Sequence, residues 1–176
     1  IKKQVLMDLV ANCYAHGGTN LLKDGLIRNL HSLDVRAFEY PFYTAYITSV
    51  EAYFKNSLAL LTPAIAKPLF MGSWPIYTKV KDEAPTKYLG SAEVHNAMLS
   101  NGCIISGRVE NSILSRGVQV HKNARVKNCI LMQGCVIEEN VSLENVICDK
   151  NTVIRKGKTL VGDSVYPLVI SKGKTI

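Results

Sequence analysis

At 176 residues and 19.4 kDa the chain can form one domain or two small ones. Apolar residues make up 47% and charged ones 20%, a balance that can build a core and excludes intrinsic disorder. The formal charge of +7 is unevenly spread: from Lys150 onward Lys150, Arg155, Lys156, Lys158, Lys172 and Lys174 stand against Asp163 alone, so that tail carries +5. Nucleic-acid binding needs basic residues interleaved with exposed aromatics, and Tyr166 is the one aromatic of the tail, so no nucleic acid is expected as a partner. No apolar run approaches the ~20 residues of a membrane helix and no signal peptide opens the chain, so no membrane is expected either. Cys13, Cys103, Cys129, Cys135 and Cys148 are odd in number and lack a Cys-x-x-Cys pair or a nearby His cluster. A disulfide framework and a zinc site are therefore not expected, and a reducing, cytoplasmic location is. Ile1 runs at once into Lys2, Lys3 and helical spacing, as a chain beginning inside a longer protein would.

Val5, Leu6, Leu9, Val10 and Cys13 predict a helix over 5–16 that Gly17-Gly18 stops. A shorter helical stretch follows around Asp24–Leu30, and residues 33–40 alternate as a strand does. Thr48-Ser49-Val50-Glu51 fits a capping box with Thr48 as the cap. Val50, Tyr53, Phe54, Leu58 and Leu61 then make one apolar stripe that Thr62-Pro63 ends. These elements give a thin core for 62 residues and read as the end of an α/β domain whose sheet lies upstream. Residues 63–90 follow as a linker.

From residue 91 a repeat takes over. Val94-His95-Asn96-Ala97-Met98-Leu99 aligns with segments beginning at Val109, Val126 and Leu143, whose starts are 15, 17 and 17 residues apart, and Leu160 lies 17 further on. Ile105, Val120, Ile137 and Ile154 repeat in step, as do Cys103, Val118, Cys135 and Thr152. Within a period the apolar positions are about six apart and close with a step of five, and position four of several hexads is apolar (Ala124, Val141, Ile130, Ile147). That is one turn of a triangular coil of three short strands, whose neighbours must stack to bury an inward face. The Asn past each inward residue suits a corner, because it tolerates left-handed backbone. The predicted fold is mainly β, a solenoid of four to five coils over 91–176.

The hexad spacing resembles the hexapeptide-repeat, left-handed parallel β-helix family, and the handedness comes from that resemblance. Such helices occur in acyltransferases and in sugar nucleotidyltransferases. For an acyltransferase, His95 or His121 would be the general base. However, His95 occupies the repeat position of Glu110, Lys127 and Glu144, an outward slot, and His121 directly follows an inward Val. Cys103 and Cys135 share an inward register and read as small core residues.

Other residues point to the second class. Tyr40-Pro41-Phe42-Tyr43-Thr44-Ala45-Tyr46-Ile47-Thr48, the helix through Asn56 to Leu61, Trp74-Pro75-Ile76-Tyr77-Thr78 and Ala84-Pro85-Thr86-Lys87-Tyr88 resemble glucose-1-phosphate adenylyltransferase (ADP-glucose pyrophosphorylase) in order and spacing. The resemblance covers nearly the whole chain but only the family's C-terminal half. It implies a parent reaction in which ATP and glucose 1-phosphate give ADP-glucose and pyrophosphate with Mg²⁺. Catalytic subunits of the family read G-Y-W-x-D-V-G-T over the positions held here by Pro41 to Thr48, and Ala45 takes the place of the aspartate that helps hold metal and sugar phosphate. Alanine offers Mg²⁺ no oxygen and offsets no phosphoryl charge. The family's glycine-rich nucleotide loop has no counterpart, since His16-Gly17-Gly18-Thr19 is too short and wrongly placed.

The chain therefore looks like the C-terminal half of a regulatory, non-catalytic subunit that works beside a catalytic subunit, as a hetero- or homo-oligomer, in bacterial glycogen synthesis. Alone it is expected to be inactive, with no catalytic residue, metal ligand or cofactor of its own. Asp24, where the family has a short Lys-Asp motif, reads as structural. Lys172, in Val169–Ile176, matches the place where some family members keep an effector-binding lysine, which implies an anionic sugar-phosphate effector. The alternative role for the tail lysines is to keep another chain from adding to the open end of the solenoid.

Overall fold

Val5, Leu6, Leu9, Val10 and Cys13 do fall on one helix, α1 (Lys3–Ala15), which buries Leu9 and Cys13. It stops where the sequence places the stop. Gly17 turns left-handed at φ 69°, and the Gly18 N–H donates back to the Cys13 carbonyl at 2.8 Å. A side chain on Gly18 would begin 2.7 Å from Cys13 Sγ and 2.8 Å from Asp24 Cβ, so only glycine lets the chain fold back here. The computed structural model describes residues 1–71 and 76–176 in two compact units, Ile1–Pro41 and Phe42–Ile176. In the first unit the helical stretch expected around Asp24–Leu30 is present as a wide turn over Leu21–Leu26 and a tighter one over Ile27–Asn29. The strand expected over 33–40 does not form. A strand needs a neighbour for its N–H and C=O groups, and residues 1–41 contain no other strand.

The second unit opens with α2 (Val50–Ala59), capped by Ser49 rather than Thr48. Ser49 is in extended backbone, and its Oγ accepts the Ala52 N–H at 3.1 Å. The Ser49 hydroxyl also holds the Glu51 carboxyl below the usual range. After a turn, Thr62 and Pro63 start α3 (Pro63–Phe70), with Pro at the first helical position. α3 and the strand Lys87–Tyr88 are thus regular elements inside the stretch expected as a linker, 63–90. Trp74 and Pro75 of the Trp-Pro-Ile-Tyr-Thr block lie outside the described residues.

From Lys87 the chain winds into three parallel sheets of five strands, each strand two or three residues long. The first sheet stacks Lys87–Tyr88, Ile104–Ile105, Gln119–Val120, Val136–Ile137 and Val153–Ile154. The second stacks Glu93–His95, Arg108–Glu110, Arg125–Lys127, Ser142–Glu144 and Thr159–Val161. The third stacks Met98–Leu99, Ile113–Leu114, Ile130–Leu131, Val146–Cys148 and Leu168–Ile170. Val94, Val109, Val126, Leu143 and Leu160 are paired rung to rung, as are Ile105, Val120, Ile137 and Ile154. This is a β-solenoid of about four turns over 87–161, a hexapeptide-repeat domain with helices on its N-terminal side.

The inward column residues Ile105, Val109, Leu114, Val120, Val126, Leu131, Ile137, Leu143 and Ile154 are fully buried in one continuous core. Corners are made by left-handed residues, among them Asn96, Asn111, Asn128 and Asn145 at φ 45° to 54°. The 15-residue first period has a specific cause. Gly107 cuts a corner that other coils turn with two more residues, and a Cβ there would meet the Ala124 carbonyl oxygen at 2.4 Å. Ile130 and Ile147 point out of the third sheet and are buried because α2 lies over them, with Phe54, Tyr53 and Leu58 against Ile130, Ile147 and Met132.

Each inward Val, Leu or Ile contributes roughly 1.5–3 kcal/mol by burial, and a buried unpaired charge costs more than that. Val126→Asp therefore abolishes the cooperative thermal transition of the solenoid. Lys127→Ala, at an exposed ion pair, shifts stability by less than about 1 kcal/mol. Circular-dichroism melts of the two variants check the inward and outward assignment.

Candidate functional site

The outward faces carry the chemistry. On the second sheet His95, Glu110, Lys127 and Glu144 stand in one column. Lys127 Nζ donates to Glu144 Oε1 at 2.9 Å, and that carboxylate raises the ammonium above the usual lysine range. Arg108 reaches Glu110 at 3.4 Å and Glu93 at 3.7 Å. This is a ladder of charges satisfied among themselves. His95 is exposed at its end and His121 lies past the first sheet. Neither imidazole has a hydrogen-bonded partner among the described residues, and the two are on different faces, so nothing orients either as a base.

Cys103 and Cys135 face inward as expected. Cys103 and Cys135 are buried, donating to the carbonyls of Ser115 (3.3 Å) and Asp149 (3.1 Å). Burial pushes both thiols up, raises Cys129 from 9.0 to about 12, and raises Cys148 further still. None is in a disulfide.

Asp24 has a structural task in the first unit. Its Oδ2 accepts the N–H groups of Asn20 (3.1 Å) and Thr19 (3.2 Å), and Arg28 lies 3.5 Å from Oδ1. The Asn20 N–H above all holds its carboxyl below the usual range. Ala45 lies in the irregular run before α2 and is exposed. Around it, Tyr43 donates to Asn56 Oδ1, Asn56 Nδ2 donates to the Ala52 carbonyl (2.7 Å), and Thr44 donates to the Phe42 carbonyl (3.5 Å). These oxygens are neutral and engaged locally. The donor set does not fit a Mg²⁺ ion, which favours carboxylates and phosphate oxygens.

The tail cations separate into two groups. Arg155 and Lys156 are neutralised one rung back by Glu138 (3.3 Å) and Glu139 (3.2 Å). Lys150, Lys158, Lys172 and Lys174 make no ion pair among the described residues. Lys150 and Lys172 occupy the same corner of successive rungs, since the N–H of Gly173 donates to the Lys150 carbonyl at 2.9 Å. The same corner one, two and three rungs earlier is held by Gln133, Arg116 and Asn101, through the N–H groups of Asn151, Gly134 and Gly117. Arg116 is turned aside, donating to the Lys79 carbonyl at 3.0 Å. Two ammonium groups one rung apart repel by roughly 0.8 kcal/mol at 5 Å in water, and an anion between them would relieve that. Spacing hid this pair. Lys150 and Lys172 are 22 residues apart rather than 17, because an extra loop after Gly162 leads to Leu168, which pairs with Val146.

A family model described as "GlmU-like, C-terminal hexapeptide" matches residues 84–165. Over 96% of its length the chain is 42% identical to the glycogen biosynthesis protein GlgD of Bacillus subtilis (strain 168), covering 49% of that protein. Over nearly its whole length the chain is GlgD-like. It is also 42% identical to the GlgD of Geobacillus stearothermophilus over 70% of this chain and 36% of the relative. With the glucose-1-phosphate adenylyltransferase of the same organism it shares 31% identity over 65% of this chain and 30% of the relative. The GlgD-like chain thus spans about half or less of the length of these relatives. No described helix is long and apolar enough to cross a membrane.

For the GlgD-like chain, thiol burial sets a pH dependence. A thiol whose pKa is raised by folding holds its proton in the native state while the unfolded state loses it. Its stabilisation is full below the unfolded value and is lost as pH rises through the folded one. Stability therefore falls between pH 9 and about 12, read by urea titration at each pH. Below pH 9 the solenoid cysteines resist iodoacetamide until the protein is denatured.

Proposed function

We propose that the chain is the C-terminal part of a regulatory, non-catalytic subunit that assembles with a catalytic glucose-1-phosphate adenylyltransferase subunit in the cytoplasm and tunes ADP-glucose supply for glycogen. The observation that carries the reading is Ala45. The position where the family resemblance puts a metal-holding aspartate has a methyl group, and the side-chain oxygens of its chain neighbours Tyr43 and Thr44 are neutral and locally bonded. The similarity to GlgD over 96% of this chain supports it, as does the occurrence of a GlgD and a glucose-1-phosphate adenylyltransferase in one organism.

In this reading residues 1–62 end a nucleotidyltransferase α/β domain, residues 63–86 link it onward, and the solenoid from Lys87 is the left-handed coil of the family. The open apolar face of α1, with Met7, Val10 and Tyr14 exposed, supports a missing layer over it. Lys172, with Lys150 on the rung before it, holds the phosphate of a sugar-phosphate effector. The unpaired state of both lysines supports that role over the ladder role of Arg155 and Lys156.

The full-length protein, assayed by pyrophosphate release from ATP, glucose 1-phosphate and Mg²⁺, gives no product alone and changes the rate of an added adenylyltransferase. Lys150→Glu with Lys172→Glu lowers the sensitivity of that mixture to sugar phosphates by ten-fold or more. Unaided pyrophosphate release by the full-length protein would overturn the non-catalytic reading.

A further inference from the structure

The inner wall of the solenoid is closed along its length, but its last rung leaves an apolar surface open. The outward column of the third sheet runs Met98, Ile113, Ile130, Ile147, Val169. α2 buries Ile130 and Ile147. Its cover does not reach Val169, which is 48% exposed. Next to Val169 along the chain, the loop that follows Gly162 carries Val165 (59% exposed) and Tyr166 (67%), and Val161 (62%) precedes it on the second sheet. Four large apolar side chains thus wrap one corner.

The loop is built rather than loose. Asp163 Oδ1 accepts the N–H groups of Val165 (2.7 Å) and Tyr166 (3.3 Å), and the Asp163 N–H donates to the Tyr166 carbonyl (3.1 Å). The one acidic group in the patch is therefore spent on holding Val165 and Tyr166 outward. Preordered apolar side chains cost little further entropy on binding, and a contiguous exposed apolar patch marks an interaction surface. Tyr is also among the residues that anchor interfaces.

Charge selects the occupant. The patch lies between Lys158, just before the strand that ends in Val161, and Lys172 and Lys174, just past the strand that holds Val169. None of the three has an acidic partner among the described residues. Two copies joined symmetrically through this patch would bring like charges together. We propose that the corner formed by Val161, Val165, Tyr166 and Val169 is the surface through which the chain docks a different folded protein, one with an apolar centre and an acidic rim. Resting on the assembly reading above, that protein is the catalytic adenylyltransferase subunit.

The test measures binding of the full-length protein to the glucose-1-phosphate adenylyltransferase of Geobacillus stearothermophilus by sedimentation velocity. Wild type, Val165→Ser with Tyr166→Ser, and Lys122→Glu are compared, with melts to show that each folds. The double variant is expected to bind at least ten-fold more weakly with an unchanged melt, and wild-type binding to weaken as salt rises. Lys122→Glu, at another corner and two rungs before the last, is expected to bind as wild type does. Equal binding by wild type and the double variant overturns the docking surface and leaves the assembly reading standing. Absence of wild-type binding overturns both. Self-association of wild type that the double variant abolishes overturns the acidic partner in favour of a second copy.

Discussion

Each coil has to turn three corners with only a few residues between them, and every backbone group on the way must find a partner. That constraint shapes the rest of the molecule. Left-handed Asn and Gly residues bend the chain where a branched side chain would clash. At one corner the amides do more than bend it: Asn96 donates to Asn111 (2.8 Å), Asn111 to Asn128 (2.7 Å), Asn128 to Asn145 (3.2 Å), and Asn145 to the Gly162 carbonyl (3.1 Å). The ladder ties rung to rung on the outside while Val, Ile and Leu columns tie them on the inside. With both in place the faces between corners are free to carry surface chemistry.

Those faces are used differently. The second sheet neutralises itself with alternating charges. The third sheet carries apolar residues outward and recruits α2 as a lid, which makes that helix part of the solenoid's packing. Past Lys156 the last rung has neither a charge ladder nor a helix, and there the chain concentrates unpaired lysines and exposed Val and Tyr. A surface left unneutralised and uncovered on an otherwise satisfied scaffold is where recognition belongs.

The inward columns were legible because a side chain's direction follows from the period, and stacking makes the same position buried in every coil. The corners were legible because Asn is one of the few residues at ease with positive φ. The helix over Ile130 and Ile147 was not legible for a physical reason: an apolar residue looks the same in a sequence whether it faces the core or a covering helix. Ser49 replaced Thr48 as the cap because both can accept the bond and only the backbone geometry decides between neighbours. The strand expected over 33–40 had the alternation but no neighbour to bond. Lys150 and Lys172 were hidden as a pair by the loop that breaks the 17-residue period, although each was visible alone. The short first period was visible too, but its cause, a glycine pressed against the Ala124 carbonyl, is a contact across a rung and has no local signature.

Asn128 tests the corner constraint most directly, because it combines left-handed backbone at φ 50° with bonds to the rungs on either side. Urea denaturation of Asn128→Gly and Asn128→Ala separates the two contributions. Both variants lose the amide bonds, each worth about 1 kcal/mol, and alanine alone adds the left-handed penalty of roughly 1–2 kcal/mol. The account predicts stability in the order wild type, glycine variant, alanine variant. An alanine variant as stable as the glycine variant would contradict it.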